Sequence, residues 1–322
     1  MAETATQIEL DGQYRALREE AGFLRRERAM LLVSGPDAAE YLQGQLTNDI
    51  EALEPESGCY AALLDRKGHL VADMRVLRLS HSHSGQIWLD TEPNAFEALR
   101  RHLETYKIGR EVEIADATPD WTITSLIGPA SVEIAETAPL SPEHSQRYYE
   151  RDGIEILAVA TDQGLDLITR PDAADAVAEQ LIAGGAVPVS EDAAEIIRVE
   201  TGRPRFGLDM GPESMPAEGG IVERAVDFEK GCYIGQEPVA RLHYRGKPNR
   251  ALRGLRLSGV ASHGDPISLG DREVGKIGTA CLSPALGPIA LAIVRREATD
   301  GEQLAVGDAG VTAELTQLPF TG

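Results

Sequence analysis

The most informative stretch of the chain reads KGCYIGQEPVAR and runs from Lys230 to Arg241. Its two glycines, Gly231 and Gly235, bracket Cys232, and glycine permits tight turns and close approach of a ligand to the backbone. A lysine near a thiol favours the thiolate, which is the nucleophilic and metal-binding form. The segment therefore predicts a reactive cysteine at a tight turn. The alternative is a plain turn in which Cys232 packs as a small apolar residue.

This segment opens the most basic stretch of an otherwise acidic chain. Residues 230–256 hold seven lysines and arginines against one acid, Glu237, whereas the chain of 322 residues has a net charge of −21. The overall charge repels phosphate backbones, so we expect no direct nucleic-acid binding. The basic stretch predicts a site for an anionic ligand, to which Gln236 and Glu237 add hydrogen-bonding groups. The alternative is a solvated basic face.

The cysteines and the N-terminal residues bear on where the protein acts. Cys59, Cys232 and Cys281 form no CxxC pair, which disfavours a disulfide framework or a self-contained zinc or iron–sulfur site. The start, MAETATQIELDGQ, lacks the basic and apolar regions of a signal peptide. No apolar run reaches the ~20 residues that a membrane span needs. We therefore expect a cytoplasmic protein with no membrane partner and no bound metal.

Outward from the segment, the apolar pattern predicts an α+β protein. A β-hairpin is predicted for residues 60–64 and 69–79 around the turn sequence DRKG, and Asp73 falls on its second arm. A helix is predicted from residue 34 to about residue 48. Further helices are predicted at 93–106, 172–183 and 191–200, and strands at 87–90, 111–114, 121–126, 154–160 and 165–169. These elements favour mixed α+β layers over strict βαβ alternation.

From residue 252 onward the sequence changes character. Short apolar runs at 252–257, 274–281, 289–295 and 311–318 are separated by Gly, Pro and Asp turns. This pattern is typical of a small all-β domain and favours a barrel. We therefore predict two domains, residues 1–245 with two α+β lobes and residues 246–322 with the C-terminal β-barrel.

The string KGCYIGQE resembles the signature of the YgfZ branch of the folate-binding glycine cleavage T-protein (GcvT-like) superfamily. Five further parts of the chain resemble that family in the same order, at residues 33–50, 60–76, 198–210, 215–218 and 275–294. The resemblance implies mixed α/β lobes around a central channel that accepts tetrahydrofolate or a one-carbon derivative of it. It also implies a β-barrel at the C-terminus.

The resemblance further implies roles for single residues. Glu200 matches the glutamate that holds the pterin's amino and ring N–H groups, and a carboxylate suits such an edge. Asp73 matches the catalytic aspartate of the T-protein, and Cys232 is the expected reactive cysteine. The basic run after Arg241 suits the glutamate tail of folate, an inference from charge. The other expected folate-binding residues are Lys230, Tyr233, Gln236 and Arg241.

Read without the resemblance, two of these residues have plainer interpretations. Glu200 is then a solvated acid at a helix end, paired with Arg198 or Arg203, and Asp73 is an exposed strand residue. The chain also departs from the aminomethyltransferase itself. That enzyme has an arginine-bearing strand in place of the Cys-Tyr-x-Gly-Gln-Glu pattern, and the last strand here, VTAELTQLPF, offers no counterpart of its C-terminal substrate arginine.

Three functions follow as hypotheses. By resemblance, the first is an accessory role in iron–sulfur cluster assembly or maintenance, and through it tRNA modification, with Cys232 acting on iron–sulfur proteins or their assembly machinery. The second is a folate-dependent aminomethyltransferase or other one-carbon transferase that uses Asp73. The third is a folate-binding module without catalysis. A thiol hydrolase built on Cys232 and His243, and a metal site at His81 and His83, are weaker alternatives.

Overall fold

A computed structural model of the chain describes residues 2–80, 86–299 and 301–320, so His81 and His83 lie outside the described residues. The helices of these ranges are α1 Ala2–Glu19, α2 Ala38–Gln43, α3 Pro93–Tyr106, α4 Ser131–Ile134, α5 Ala174–Ala183, α6 Glu191–Glu200, α7 Val222–Ala225 and α8 Gln236–Arg245. The strands are β1 Gly22–Arg26, β2 Ala29–Ser34, β3 Ser57–Leu64, β4 Leu70–Arg78, β5 Ile87–Thr91, β6 Glu113–Asp116, β7 Thr122–Ile127, β8 Gln146–Arg151, β9 Ile154–Ala160, β10 Gly164–Thr169, β11 Val187–Pro188, β12 Arg250–Leu257, β13 Pro266–Leu269, β14 Arg272–Ser283, β15 Gly287–Arg295, β16 Gln303–Val306 and β17 Val311–Thr316.

The chain divides into two compact units. The first unit comprises Met1–Leu63, Ala72–Ala194 and Glu229–Ile234, and the second comprises Leu64–Val71, Glu195–Phe228 and Gly235–Gly322. The segment KGCYIGQE therefore begins in the first unit and ends in the second. The predicted domain boundary at residues 245/246 stays a prediction.

The strands of the N-terminal part form two sheets, and helices alternate with these strands along the chain. Among the described residues, one sheet has the strand order β11-β1-β7-β10-β9-β8 and another has the order β3-β4-β5-β2-β6. Helix α3 shows the expected pattern, with Pro93 at its start and Ala95, Leu99 and Leu103 buried at helical spacing. The predicted α+β fold is therefore confirmed.

The predicted hairpin is confirmed, whereas one predicted helix is too long. β3 and β4 are neighbours in the sheet, and the turn between them is closed by hydrogen bonds between Asp65 and His69. Helix α2 ends at Gln43 rather than near residue 48, because Gly44 follows and the chain then turns toward β3. There Leu46 pairs with Leu63, and the Thr47 hydroxyl accepts a hydrogen bond from the Ala62 amide. Tertiary pairing overrides local helix propensity here.

In the second unit, the described strands form the predicted closed barrel, in the order β12-β15-β14-β13-β16-β17. Leu255, Ile267, Ile277 and Leu304 are among the buried residues that fill it. Strands β13 and β16 were not predicted, because each is only four residues long and too short to show a clear alternation. Closure leaves the barrel without open edges.

The described residues include neither a membrane-spanning helix nor a cluster of metal-ligating side chains. No helix among them is long and apolar enough to cross a membrane. In that same part of the chain, no three His, Cys, Asp or Glu side chains come together as metal ligands would.

Candidate functional site

The lysine that begins the segment is buried and anchors it to the first unit. Lys230 is 8% exposed, and its Nζ donates hydrogen bonds of 2.7 Å to the carbonyls of Gln43, Leu46 and Asn48. These carbonyls lie at and just beyond the C-terminal end of α2, where carbonyls lack helical partners and a positive charge is favourable. The three hydrogens of the ammonium group can thus all be used. Lys230 has a structural role, and its role toward folate stays a prediction.

The cysteines of the chain differ in their exposure. Cys232 is exposed, whereas Cys59 and Cys281 are partly buried, and all are free thiols. Burial raises the pKa of Cys59 to about 12, against the opposing effect of the Lys230 charge. Burial, followed by the Glu200 carboxylate, raises the pKa of Cys281 to about 12. Because the thiolate is the reactive form, Cys59 and Cys281 are poor nucleophiles, and Cys232 is the accessible thiol.

The tyrosine after Cys232 is buried with an unused hydroxyl group. The ring centroid of Tyr233 lies 5.2 Å from Nζ of Lys230, within the range of a cation–π contact. Its hydroxyl is buried and has no hydrogen-bond partner, and burial raises the pKa of Tyr233 to about 12. A buried hydroxyl without a partner is uncommon and calls for a ligand or an ordered water.

The second glycine of the segment is required by the fold. Gly235 has φ of +82°, and a Cβ built on it would lie 2.4 Å from the carbonyl oxygen of Asp65 in the hairpin turn. A Cβ on Gly231 would meet nothing within 4 Å, and Gly231 is not among the residues with positive φ. The two glycines therefore serve different purposes: Gly235 permits close packing, and Gly231 leaves open space beside Cys232.

The sequence predicted only a turn at the signature, but a helix follows it. Helix α8 begins at Gln236, directly after the left-handed Gly235, and Glu237 places an acid in its first turn. An acid there favours the positive end of the helix dipole. Gln236 is half-buried, and Arg241 lies exposed one turn and a half further along. Near the end of α8, His243 stacks on Phe228 with ring centroids 3.9 Å apart.

Asp73 lies buried on β4, so its interpretation as an exposed strand residue is wrong. The strand lies between β3 and β5, and residues on both of its faces are buried. The carboxyl group is 7% exposed; the Tyr60 hydroxyl donates a hydrogen bond to its Oδ2, and its Oδ1 has no partner. Burial raises the pKa of Asp73 despite the lowering effects of Tyr60 and of the nearby Arg28.

A second buried aspartate in the same sheet has the opposite surroundings. Asp90 accepts hydrogen bonds of 2.6 Å from Nε of Arg28 and from Nε of Arg75. Burial by itself would raise the pKa of Asp90, but the two guanidinium groups lower it overall. Arg28 also pairs with Glu92. The two arginines thus form ion pairs with Asp90, Glu92 and Asp166, and Asp73 keeps one carboxyl oxygen unbonded.

In the second unit, Glu200 is the last residue of α6 and is buried rather than solvated. It is 6% exposed, and the Ser283 hydroxyl of β14 donates a hydrogen bond of 2.5 Å to its Oε1. Backbone amides of Ala285 and Leu286 in turn donate to the Ser283 oxygen, which orients that hydroxyl. The plainer interpretation as a solvated helix-end acid is therefore wrong.

The arginine two residues before Glu200 belongs to an ion network of the same unit. Arg198 donates hydrogen bonds of 2.7 Å to carboxylate oxygens of Glu195 and Asp209, and another of 2.7 Å to the Thr279 hydroxyl. Burial lowers the pKa of Arg198, but these carboxylates raise it overall. The network joins α6 to the barrel strand β14 and so holds the helix that carries Glu200.

The predicted site residues divide between the two units. Asp73, Lys230, Cys232 and Tyr233 belong to the first unit, and Glu200, Gln236 and Arg241 belong to the second. Tyr60 and Ser283, which donate hydrogen bonds to Asp73 and Glu200, were not predicted as site residues. The sequence could have indicated Tyr60. It is as far from the centre of the predicted hairpin turn as Asp73 is, and residues equally far from a turn lie opposite each other on the two strands. Ser283 had no such signal, because it lies 83 residues from Glu200 along the chain.

Two family descriptions match the chain and together span most of it. Residues 9–230 match the GCVT N-terminal domain, and residues 250–321 match the glycine cleavage T-protein C-terminal barrel domain. The chain therefore belongs to the glycine cleavage T-protein family.

Individual relatives are similar along almost the whole chain. An aminomethyltransferase from Rubrobacter xylanophilus is 28% identical over 332 residues, which cover 97% of this chain and 88% of the relative. A "probable aminomethyltransferase" from Natronomonas pharaonis is 30% identical, with 96% of this chain and 89% of the relative covered. The crystal structure of the glycine cleavage system aminomethyltransferase T from Bartonella henselae matches with a TM-score of 0.84 and 20% identity, over 97% of this chain and 89% of that one. The structural match confirms the predicted fold.

Proposed function

We propose that this protein binds tetrahydrofolate and transfers a one-carbon group of the aminomethyl type. Support comes from its membership of the glycine cleavage T-protein family and from relatives named aminomethyltransferase. The observation that carries the proposal is the state of Asp73. A buried carboxyl group with a raised pKa and one unbonded oxygen is suited to proton transfer to a substrate.

The proposed chemistry gives Asp73 a defined task. In aminomethyl transfer, the carbon loses its bonds to the donor and to the departing amine and gains bonds to two folate nitrogens, and the two protons that these nitrogens release are balanced by one proton taken up by the amine and one by the donor. A carboxyl group with a raised pKa holds a proton that it can deliver to that amine from Oδ1. The Tyr60 hydroxyl fixes Oδ2 and so orients the group. Tetrahydrofolate is a substrate in this reaction.

The proposal gives Glu200 a binding task. A carboxylate accepts hydrogen bonds in pairs, and the aminopyrimidinone edge of a pterin offers adjacent N–H donors. Ser283 holds Oε1 of Glu200 from one side, and burial would strengthen hydrogen bonds to a ligand. Among the first-unit residues, the unpartnered Tyr233 hydroxyl is a further group suited to a polar ligand.

The first test is calorimetric titration of tetrahydrofolate against wild type and Glu200→Gln. We expect wild type to bind and the variant to bind at least about tenfold more weakly, because it loses a charged acceptor. Glu223→Gln, at an exposed acid of the same unit, is the control. Absence of binding by wild type would reject the folate proposal.

The second test measures transfer from an aminomethyl donor to tetrahydrofolate. Asp73→Asn keeps the shape of the side chain and removes its proton-transfer ability, so we expect a rate loss of about 10²–10⁴-fold. Asp116→Asn, at an exposed aspartate of the same sheet, is the control. If wild type binds folate but transfers nothing, the non-catalytic folate-binding module becomes the better description.

A second candidate function rests on the exposed Cys232. We propose as the alternative an accessory role of the YgfZ type in iron–sulfur cluster assembly or maintenance, and through it in tRNA modification. The accessible thiol in KGCYIGQE supports this role, since a single thiol can act as a transient metal ligand or redox group. Iron–sulfur proteins or their assembly machinery would then be the partners.

The test of this alternative is complementation of a deletion strain. We expect Cys232→Ser to lower the activity of iron–sulfur enzymes in those cells, and Cys281→Ser, at a partly buried thiol, to leave it unchanged. Full complementation by Cys232→Ser would reject the thiol mechanism.

A further inference from the structure

A row of ionisable side chains crosses the sheet that carries Asp73. In this sheet β5 lies between β4 and β2, and its last residue, Thr91, is paired with a residue on each of these strands. One position beyond Thr91, Glu92 therefore stands between Asp73 of β4 and Arg28 just before β2. Directly opposite residues of antiparallel strands share a face, with Cβ atoms about 4.5–5.5 Å apart. Tyr60 of β3 continues the row by donating a hydrogen bond to Asp73.

The hydrogen bonds of Arg28 go to acids other than Asp73. Its Nη1 forms an ion pair with Glu92, its Nε donates a bond of 2.6 Å to the Asp90 carboxylate, and its Nη2 donates one of 3.2 Å to the Asp90 carbonyl. Oδ1 of Asp73 has no hydrogen-bond partner. Two carboxyl groups, those of Asp73 and Glu92, therefore lie side by side in the row, and the cation is bonded to only one of them.

The next row along the same strands is a closed set of ion pairs. Arg75 of β4 pairs with Asp90 of β5 and also with Asp166 of β10. This row balances its own charge and leaves Asp73 to its direct neighbours. In the part of the chain that the structure describes, the ionisable side chains that chiefly act on Asp73 come from three neighbouring elements, and they are Tyr60, Arg28 and Glu92.

The helix that follows β5 does not explain why residue 92 is a glutamate. Glu92 is the N-cap of α3, yet its side chain makes no capping hydrogen bond. Serine, threonine, aspartate and asparagine are the preferred residues at this position. The Glu92 side chain is only 11% exposed and forms its ion pair with Arg28. The N-terminal end of α3 favours a negative charge there. This charge is therefore held inside the sheet, beside Asp73, rather than in solvent.

We propose that Glu92 is a positioning residue for the proposed transfer reaction, and that its negative charge keeps on Asp73 the proton that the departing amine takes up. This inference rests on the proposed function. Two neighbouring carboxyl groups disfavour a second negative charge, so the pair holds one proton. Because Arg28 is bonded to Glu92, the negative charge lies on Glu92 and the proton on Asp73. Burial is the main cause of the raised pKa of Asp73, and Glu92 acts in the same direction, against Tyr60 and Arg28.

The first test needs no substrate. Carbon-13 NMR of protein labelled at its aspartate carboxyl carbons follows the titration of Asp73, whose signal is the one missing from Asp73→Asn. We expect Glu92→Gln to lower the pKa of Asp73 by about one pH unit or more, because a full charge at about 5 Å is removed. The control is Glu113→Gln, at an exposed acid of β6 in the same sheet, and it should leave the titration unchanged.

Two further variants separate the charge of Glu92 from its packing. Glu92→Asp keeps the charge and should keep most of the raised pKa of Asp73. Glu92→Ser removes the charge and gives α3 a preferred N-cap residue, so it should fold even if Glu92→Gln does not. Glu92→Ser should lower the pKa of Asp73 as Glu92→Gln does.

The second readout is the pH dependence of aminomethyl transfer. A general acid acts in its protonated form, so the rate should fall as pH rises through the pKa of Asp73. Glu92→Gln should move this fall to lower pH by the same amount as the NMR titration, and the rate above that pH should drop about tenfold. Glu92→Asp should restore both the profile and most of the rate.

The possible outcomes separate this inference from the proposed function. An unchanged titration of Asp73 in both Glu92→Gln and Glu92→Ser would overturn the inference alone, because transfer by Asp73 does not require Glu92. A slower Glu92→Gln whose pH profile is not displaced would also overturn it, since a purely structural role has that result. If wild type transfers nothing, or Asp73→Asn transfers as fast as wild type, the proposed function fails and the role of Glu92 in it fails as well.

Discussion

The two halves of the signature region differ in how they hold their positive charge. In residues 230–234 the charged side chain, Lys230, is buried, whereas in residues 235–245 the side chains of Arg241 and Arg245 are exposed. The amine of Lys230 donates to three backbone carbonyls at the end of α2. The guanidinium groups of Arg241 and Arg245 have no partner in the described chain. The two glycines show the opposite arrangement. Gly231, in the half with the buried charge, has open space around it, whereas Gly235, in the half with the exposed charges, is closely packed. Within one short motif, therefore, some residues maintain the structure and others are left accessible.

The same contrast separates the two buried aspartates of one sheet. Asp90 bonds to Arg28 and Arg75, and its pKa is lowered. Asp73 has an unbonded Oδ1, and burial raises its pKa. Two carboxyl groups whose environments shift their pKa values in opposite directions are typical of a site with separate structural and acid–base groups. A free carboxyl oxygen, rather than the residue type, is what distinguishes Asp73 from Asp90.

The largest effect on stability is expected for Lys230→Met. This change leaves three carbonyls near the end of α2 without their donor, so we expect the free energy of unfolding to fall by about 3 kcal/mol. Urea denaturation followed by circular dichroism measures it. The control Lys247→Met, at an exposed lysine, should change it by less than about 0.5 kcal/mol. If Lys230→Met keeps its stability but loses folate affinity, the amine serves the ligand and the structural role is wrong.

A smaller loss is expected for Gly235→Ala. Alanine is disfavoured at φ of +82°, and its methyl group would overlap the Asp65 carbonyl, so we expect a loss of about 2 kcal/mol. Gly231→Ala is the matched variant, and its stability should change by less than about 0.5 kcal/mol because its Cβ meets nothing. Thermal unfolding of the two variants measures the difference. Equal losses would remove the distinction between the two glycines.

A still smaller and pH-dependent effect is expected for Asp73→Asn. Above its ordinary pKa of 3.8 the unfolded aspartate loses its proton, whereas the buried folded group retains it because its pKa is raised. Wild-type stability therefore falls as pH rises from about 3.8 to the folded pKa and levels off above it, and the asparagine variant lacks this fall. Urea denaturation across this pH range should show the difference shifting in favour of Asp73→Asn.

The control for this pH dependence is Asp90→Asn. The pKa of Asp90 is lowered by two arginines, so its ionised form stabilises the folded state above the ordinary pKa. That contribution is lost as pH falls through the folded pKa. The stability of Asp90→Asn should therefore be furthest below that of wild type at higher pH. Parallel pH profiles for the two variants would contradict the opposite shifts of the two groups.

The smallest effect on stability is expected for Cys232→Ser. The side chain is exposed, so the free energy of unfolding should change by less than about 0.5 kcal/mol. In the folded protein, modification by a thiol reagent should occur first at Cys232, because Cys59 and Cys281 are partly buried and have raised pKa values. Mass spectrometry after brief labelling checks this order. Faster labelling of Cys59 would contradict it.

Much of the fold could be predicted from local patterns. Helix α3 and α6, the β3–β4 hairpin and the barrel region all follow from apolar spacing and turn residues that act over a few positions. The helix after the signature was missed because Gly235 at its start usually indicates a turn, and the hairpin that requires this glycine lies far away in the sequence. The end of α2 was placed too late because its limit depends on pairing with β3.

The sequence by itself determined the class of fold, the family and the chemical types at the candidate site. Only the tertiary structure decided which of those residues are buried and which are exposed. Lys230 and Arg241 are both cations in the same motif, yet long-range contacts with the end of α2 bury the first and leave the second open. Burial and hydrogen bonding depend on residues brought together from distant positions, and a local sequence pattern does not record those contacts.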